Sequence, residues 1–210
     1  MRGGCEYRAG KVFEVDGYEY DLFVSYRRNG NVREWVRNHL VPRLYDCLAD
    51  ELDRDPRIFL DVAQDPGTRW PENLAWALQR SHLLLAVLSP PYFTSRWCLA
   101  EWRTIRRREQ ALGLGGPGNP LGLIYPIRFS DGDRFPAEAR NIQHEMIFKD
   151  YRYPYPQFAE SQKYLDFHRA VMEFAERLAQ RFDDPPVWRA DWPIELPEPS
   201  DPVPAGLPRL

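Results

Sequence analysis

The chain has 210 residues, 43% of them hydrophobic, enough apolar mass for one α/β-sized domain with an appendage. Its formal charge of −3 argues against a protein devoted to nucleic acid, which needs clustered Lys and Arg to meet phosphates. No run approaches the ~18 apolar residues of a membrane span, and the N-terminus has no apolar secretory core. Neither membrane spanning nor secretion is expected, and a reducing cytoplasm is the expected compartment.

Residues 1–17 carry glycines and mixed polarity and read as an irregular leader. Tyr20 to Tyr26 (YDLFVSY) is the first strand, a near-continuous apolar run of the kind that parallel sheets bury on both faces. It ends in the polar stretch Arg27-Arg28-Asn29-Gly30. Asn31 is placed to cap a helix whose Val32, Val36, Leu40, Leu44 and Leu48 recur every fourth residue, with Trp35 and Cys47 widening the stripe. Pro42 predicts a kink within it.

Arg57 to Asp61 is a short second strand, followed by a loop to Trp70 in which Asp65-Pro66-Gly67 marks a tight turn. Pro71 suits a first helical turn, and Leu74, Ala75 and Leu78 carry that helix to about Arg80. His82 to Ser89 is a third strand. After a Pro90-Pro91 turn, Ser95 is the expected N-cap of a helix reaching about Leu112. Glu101 lies one to two turns inside that helix as a partly exposed group, with Trp97 four residues earlier on the same side. Arg103, Arg106, Arg107 and Arg108 read as a solvated outer face.

The glycine-rich stretch 113–120 follows a helix and precedes a strand, the reverse of a phosphate-binding loop's context, and reads as a connector. Leu121 to Phe129 is a fourth strand whose Pro126 indicates an edge or a bulge. One helical turn over Phe135 to Arg140 and a fifth strand over Glu145 to Phe148 follow. Gln157 to Phe182 is the longest helix, striped by Phe167, Val171, Phe174, Leu178 and Phe182. From Asp183 onward eight of 28 residues are proline, so 183–210 reads as an extended tail or linker. Trp188 and Trp192 either dock this tail on the domain or belong to a partner-binding segment.

This alternation predicts an α/β, flavodoxin-like three-layer sandwich with a five-stranded, mostly parallel sheet. Cys5, Cys47 and Cys98 have no partner spacing, and the four histidines are scattered, so neither a disulfide framework nor a metal site is expected.

Four ordered stretches carry a family resemblance: Tyr20 to Arg28, Ile58 to Asp61 with the Pro66-Gly67 loop, Val87 to Phe93, and Ser95-Arg-Trp-Cys-Leu-Ala-Glu101. Together they resemble the successive boxes of a Toll/interleukin-1 receptor (TIR) domain, bacterial-type and akin to the NAD-cleaving members, over residues 18–182. The resemblance implies two kinds of activity. Some TIR domains are adaptors that bind other TIR domains, often through the loop after the second strand, here with Asp65, Pro66 and Gly67. Others cleave NAD to nicotinamide and ADP-ribose or a cyclised form, using a glutamate that matches Glu101. For an NAD-cleaving member the resemblance implies an effector in bacterial immune or cell-death signalling, activated by self-association. The tail would then join a sensor domain or partner protein.

NAD is in this reading the substrate, and no cofactor is needed. The leaving nicotinamide is a cationic pyridinium that departs neutral, so one carboxylate stabilising the developing ribosyl cation suffices. Arg27 and Arg28 are candidates for the diphosphate, against a solvated-loop reading. Ser25 and Tyr26 could line the nucleoside pocket, although Tyr26 equally suits the core. Trp70 and Trp97 could stack on a base or on nicotinamide, against the commoner use of tryptophan in packing. One departure stands out: several hydrolytic relatives carry an acidic residue where this chain has Ala63, which points to slow turnover or dependence on assembly.

Overall fold

A computed structural model describes residues 17–61, 70–116, 118–133, 135–136 and 146–197. The loop 62–69, the leader before Gly17, the end of the tail and most of the 135–140 helical turn lie outside the described residues, as do the side chains of Trp70 and Met146.

Five strands form one sheet: β1 (Tyr20–Tyr26), β2 (Ile58–Leu60), β3 (Ser81–Leu88), β4 (Ile124–Arg128) and β5 (Met146–Ile147). Their spatial order is β2-β1-β3-β4-β5, and every pairing is parallel. This is the flavodoxin-like order, in which the chain reverses its direction of travel across the sheet between β1 and β3. The apolar runs of β1 and β3 are buried along almost their whole length because helices cover both sheet faces.

Pro126 lies in an interior strand, although the sequence suggests an edge. Phe129 donates to Leu88 on β3 and the Arg128 carbonyl accepts from Phe148, so the even-numbered positions of β4 face β5. Among the described residues the β4–β5 ladder begins at Ile127, one residue past Pro126, so the missing N–H of Pro126 interrupts no described ladder bond.

The first helix, α1, has three pieces: an α-helical Asn31–Trp35, a π-helical Val36–Leu40 and an α-helical Val41–Glu51. Gly30, at a φ of 77°, occupies the N-cap and Asn31 is the first helical residue, not the cap. The predicted kink is a π-helical segment instead, placed just before Pro42, whose ring and absent N–H disturb the regular ladder. The stripe Val32, Val36, Leu40, Leu44 and Leu48 is buried throughout.

Helices α2 (Trp70–Gln79) and α3 (Arg96–Leu112) flank β3, and Gly113 ends α3 in the left-handed conformation. The last helix, α4 (Lys163–Phe182), starts six residues later than periodicity suggests. Its stripe Phe167, Val171, Phe174, Leu178 and Phe182 is buried. Residues 157–162 form turns instead. A helix at 100° per residue would carry Phe158 to the side opposite Phe167, yet both rings are buried together at 5.3 Å.

The tail docks over 183–197. Trp188 Nε1 donates to the Gln79 carbonyl, Trp192 is buried, and Glu195 N donates to Thr104 Oγ1. Gly17 lies against the Trp188 ring so closely that a Cβ would stand 1.9 Å from it. Arg108 corrects the solvated-face reading of the α3 arginines. It is fully buried, donates to the carbonyls of Ser81, Leu78 and Gln79, and stacks on Trp192. Its neighbours Arg103 and Arg107 are exposed as expected.

Candidate active site

Glu101 projects from the second turn of α3 toward the carboxyl ends of β1 and β3. The start of α3 is set by Ser95, whose hydroxyl accepts from Cys98 N, so the helix begins where the sequence places it. This is the sheet edge, at the reversal of strand order, where open α/β sheets bind ligands.

A narrow cleft there is lined by Tyr26, Arg27, Arg28 and Asn29 from β1 and its following loop, and by Ser95, Trp97, Cys98 and Glu101 from α3. Two segments separated by about seventy residues of chain thus meet in one site. Its interior has room for about one water molecule.

Glu101 is only 5% exposed, not the partly exposed group expected from its place on the helix. Its Oε2 accepts from Ser25 Oγ at 2.5 Å, the length of a charge-assisted bond. Arg28 Nη2 stands 4.0 Å from Oε1 and pairs with the Asp61 carboxylate at the end of β2. Burial pushes the Glu101 carboxyl up to about 7, against the opposing pull of Arg28 and the Ser25 bond. Near neutrality this side chain therefore exchanges between acid and carboxylate. Burial, with the Glu101 charge beside it, likewise raises the Cys98 thiol to about 12, leaving it a neutral thiol.

Of the residues expected at the site, Tyr26, Arg27, Arg28, Trp97 and Glu101 meet at the cleft. Tyr26 lines the cleft and is buried, with its hydroxyl donating to the Asp61 carbonyl. Ser25 stands behind Glu101 rather than on the cleft wall. Trp70 begins α2 and its side chain is outside the described residues, as are Asp65, Pro66 and Gly67. Two further participants fall within the stretches that carry the family resemblance, where nothing marks them individually as site residues: Asp61 closes the second strand, and Tyr92 follows the Pro90-Pro91 turn, with its hydroxyl 2.9 Å from Ser25 Oγ.

Among the described residues no cluster of His, Cys, Asp and Glu is arranged to hold a metal ion. No described helix is long and apolar enough to cross a membrane.

A fully parallel sheet with this strand order, covered by helices, defines a flavodoxin-like α/β domain. The TIR domain family model matches residues 22–182, and the chain belongs to that family. It is 32% identical over 84 residues to the TMV resistance protein N of Nicotiana glutinosa, a match covering 40% of this chain and 7% of that protein. It is 35% identical over 83 residues to Toll-like receptor 2 type-2 of Gallus gallus, covering 39% of this chain and 10% of that receptor. The match therefore spans a small fraction of either relative's length. Among solved structures, the TIR domain of the Toll-related receptor TRR-2 from Hydra magnipapillata aligns with a TM-score of 0.43 and 23% identity, covering 72% of this chain and 98% of that one. The TIR domains of the activated Roq1 resistosome, which directly recognises the pathogen effector XopQ, align at 0.41 and 19%, covering 78% and 96%.

Proposed function

We propose that this TIR domain is an NAD glycohydrolase, releasing nicotinamide and ADP-ribose or a cyclic ADP-ribose. The observation that carries the reading is Glu101: a buried carboxylate at the cleft, bonded by Ser25 and faced by Arg28. Burying a carboxylate this way is unfavourable for the fold by itself, and such arrangements concentrate at functional sites.

The chemistry needs little more. The bond between ribose C1′ and the nicotinamide nitrogen breaks, and its electron pair stays on nitrogen, so the positively charged pyridinium leaves as neutral nicotinamide. Positive charge develops on the ribose, and Glu101 stabilises it in a site of low dielectric. Water then adds at C1′ and releases a proton; in the cyclic product, an adenine nitrogen takes the place of water. Arg27, on the cleft wall, is the cation offered to the diphosphate, while Arg28 faces Asp61 and Glu101. Trp97 offers an aromatic surface beside the carboxylate.

Among the described residues the cleft is narrow, and in this reading a shift of Arg28 or its loop admits the dinucleotide. Activation by self-association would provide that change, with the Asp65-Pro66-Gly67 stretch as the contact between copies and Ala63 consistent with low activity before assembly. Such an enzyme acts as a signalling effector, with the tail leading to a sensor or partner protein. The deciding experiment is incubation with NAD at rising protein concentration, with nicotinamide quantified. No nicotinamide from wild type under any assembled condition, with partner binding intact in Glu101→Gln, identifies a non-catalytic scaffold instead.

A further inference from the structure

Glu101 is held from behind by a side chain that does not reach the cleft. Tyr92 sits in the 3-10 turn Pro90–Thr94 between β3 and α3 and is fully buried. Its hydroxyl lies 2.9 Å from Ser25 Oγ and 3.3 Å from the carbonyl oxygen of Cys98. Ser25 Oγ is in turn 2.5 Å from Glu101 Oε2.

Counting protons gives this chain a direction. An ionised carboxylate only accepts, and a serine hydroxyl has one hydrogen to donate. When Glu101 is charged, the Ser25 proton must go to it, and Ser25 is then an acceptor for Tyr92. When Glu101 is protonated, its own hydrogen can go to Ser25, and the Tyr92 hydroxyl turns to the Cys98 carbonyl. The second acceptor lets the network satisfy both states without moving a heavy atom.

We propose that Tyr92 is a positioning residue which, acting through Ser25, fixes the Glu101 carboxylate at the cleft and favours its charged form. Its functional meaning rests on the reading of Glu101 as the catalytic carboxylate. Among the described residues, the titratable and charged groups around Glu101 are Tyr26, Arg27 and Arg28 from β1 and its loop, Tyr92 from the 3-10 turn and Cys98 from its own helix. Asp61, at the end of β2, acts on it through Arg28. Among the described residues, Arg28 is the cation that comes within 4.0 Å of the Glu101 carboxylate. The aligned hydroxyls add a second source of stabilisation for the charge, and hydrogen bonds aligned in a buried site reinforce one another.

The test is the titration of Glu101 itself, read without turnover. In the full chain labelled with carbon-13 glutamate, the Glu101 carboxyl signal is identified by its loss in Glu101→Gln. Tyr92→Phe removes only the hydroxyl and is expected to raise the titration midpoint by roughly half a pH unit or more. Ser25→Ala raises it further, and Ser25→Ala with Tyr92→Phe matches Ser25→Ala alone, because Tyr92 acts only through Ser25. An unchanged midpoint in folded Tyr92→Phe, or a Tyr92→Phe effect that persists without Ser25, overturns the proposal.

Should Tyr92→Phe not fold, 3-fluorotyrosine incorporation replaces it: a more acidic phenol donates more strongly and lowers the midpoint in wild type but not in Ser25→Ala. No lowering in wild type, or an equal one in both, overturns the proposal too. In the cleavage assay, Tyr92→Phe lowers kcat about threefold at slightly acidic pH with KM unchanged. Absence of cleavage by wild type sinks the glycohydrolase reading alone, since the titration of Glu101 is measured independently.

Discussion

Arg28 Nη2 stands 4.0 Å from Glu101 Oε1 while pairing with the Asp61 carboxylate, so one guanidinium from the loop after β1 faces acids from β2 and α3. The charge at Glu101 is thus balanced locally but incompletely, and in the proposed glycohydrolase that leaves it to stabilise a passing cation. Glu101→Gln keeps the shape and removes the charge. Losing such a transition-state contact is expected to lower kcat about a hundredfold or more, equivalent to roughly 3 kcal/mol, with nicotinamide release as the measure. Wild-type activity should rise with pH through about 7, the midpoint of Glu101. Cleavage undiminished in the variant assigns the chemistry to another residue.

The same substitution has a stability signature. The Glu101 midpoint is raised by folding, so the folded state holds this proton more tightly than the unfolded chain. The resulting stabilisation is complete below the unfolded carboxyl's range and is lost as pH rises through about 7. Glu101→Gln, neutral at every pH, is therefore expected to melt higher than wild type at mildly alkaline pH, by roughly 2–4 °C for an effect on the order of 1 kcal/mol. The gain should shrink toward pH ~5. A variant that melts lower at alkaline pH than at acid pH, relative to wild type, contradicts this sign.

If self-association opens the cleft, turnover per molecule rises with protein concentration. Constant specific activity over about a hundredfold dilution of a protein that stays monomeric throughout would exclude gating by assembly.

Trp192 covers a buried cation. The guanidinium of Arg108 lies 5.3 Å from its ring centroid while donating to three carbonyls at the end of α2 and the start of β3. Trp192→Ala removes packing and admits water to that charge, and is expected to destabilise the domain by about 3 kcal/mol. Denaturant titration measures the loss, and proteolytic cleavage between 183 and 197 should quicken as the strap lifts. Unchanged stability would show that Trp192 contributes nothing to the fold.

Asp21, at the amino end of β1, is 3% exposed and accepts from Arg54 at 2.7 Å and 2.8 Å and from the Arg57 side chain and backbone. Burial works against its charge, but the bonds from Arg54 and Arg57 prevail and hold the carboxyl below its ordinary value. Its stabilisation is present above the unfolded carboxyl's range and lost as pH falls through the folded midpoint. Asp21→Asn is expected to destabilise by roughly 2–4 kcal/mol at neutral pH, with the difference from wild type narrowing as acid protonates Asp21. A constant difference across the acid range would assign the loss to packing instead.

The sheet and the start of the site helix are legible in the chain because their signals are local. Strands buried on both faces must be apolar throughout, as β1 and β3 are, and a helix packed on one face must repeat its apolar positions, as α1 and α4 do. Ser95 marks the start of α3 because a serine hydroxyl satisfies a free backbone donor wherever a helix begins. The order of these elements places Glu101 and Arg27-Arg28 at one sheet edge.

Tertiary structure decided what each polar group meets there. Arg108 continues a run of basic residues on α3, and only packing against α2 and the tail makes it an interior cation. Phe158 falls off the α4 stripe, and the chain abandons helix for turns to bury it. Glu101 is buried rather than half-exposed, and Ser25 and Tyr92, 67 residues apart, converge behind it. Periodicity records which way a side chain leaves its own element, whereas burial, hydrogen bonding and charge depend on neighbours brought in from distant parts of the chain, and those neighbours set the chemistry of Glu101.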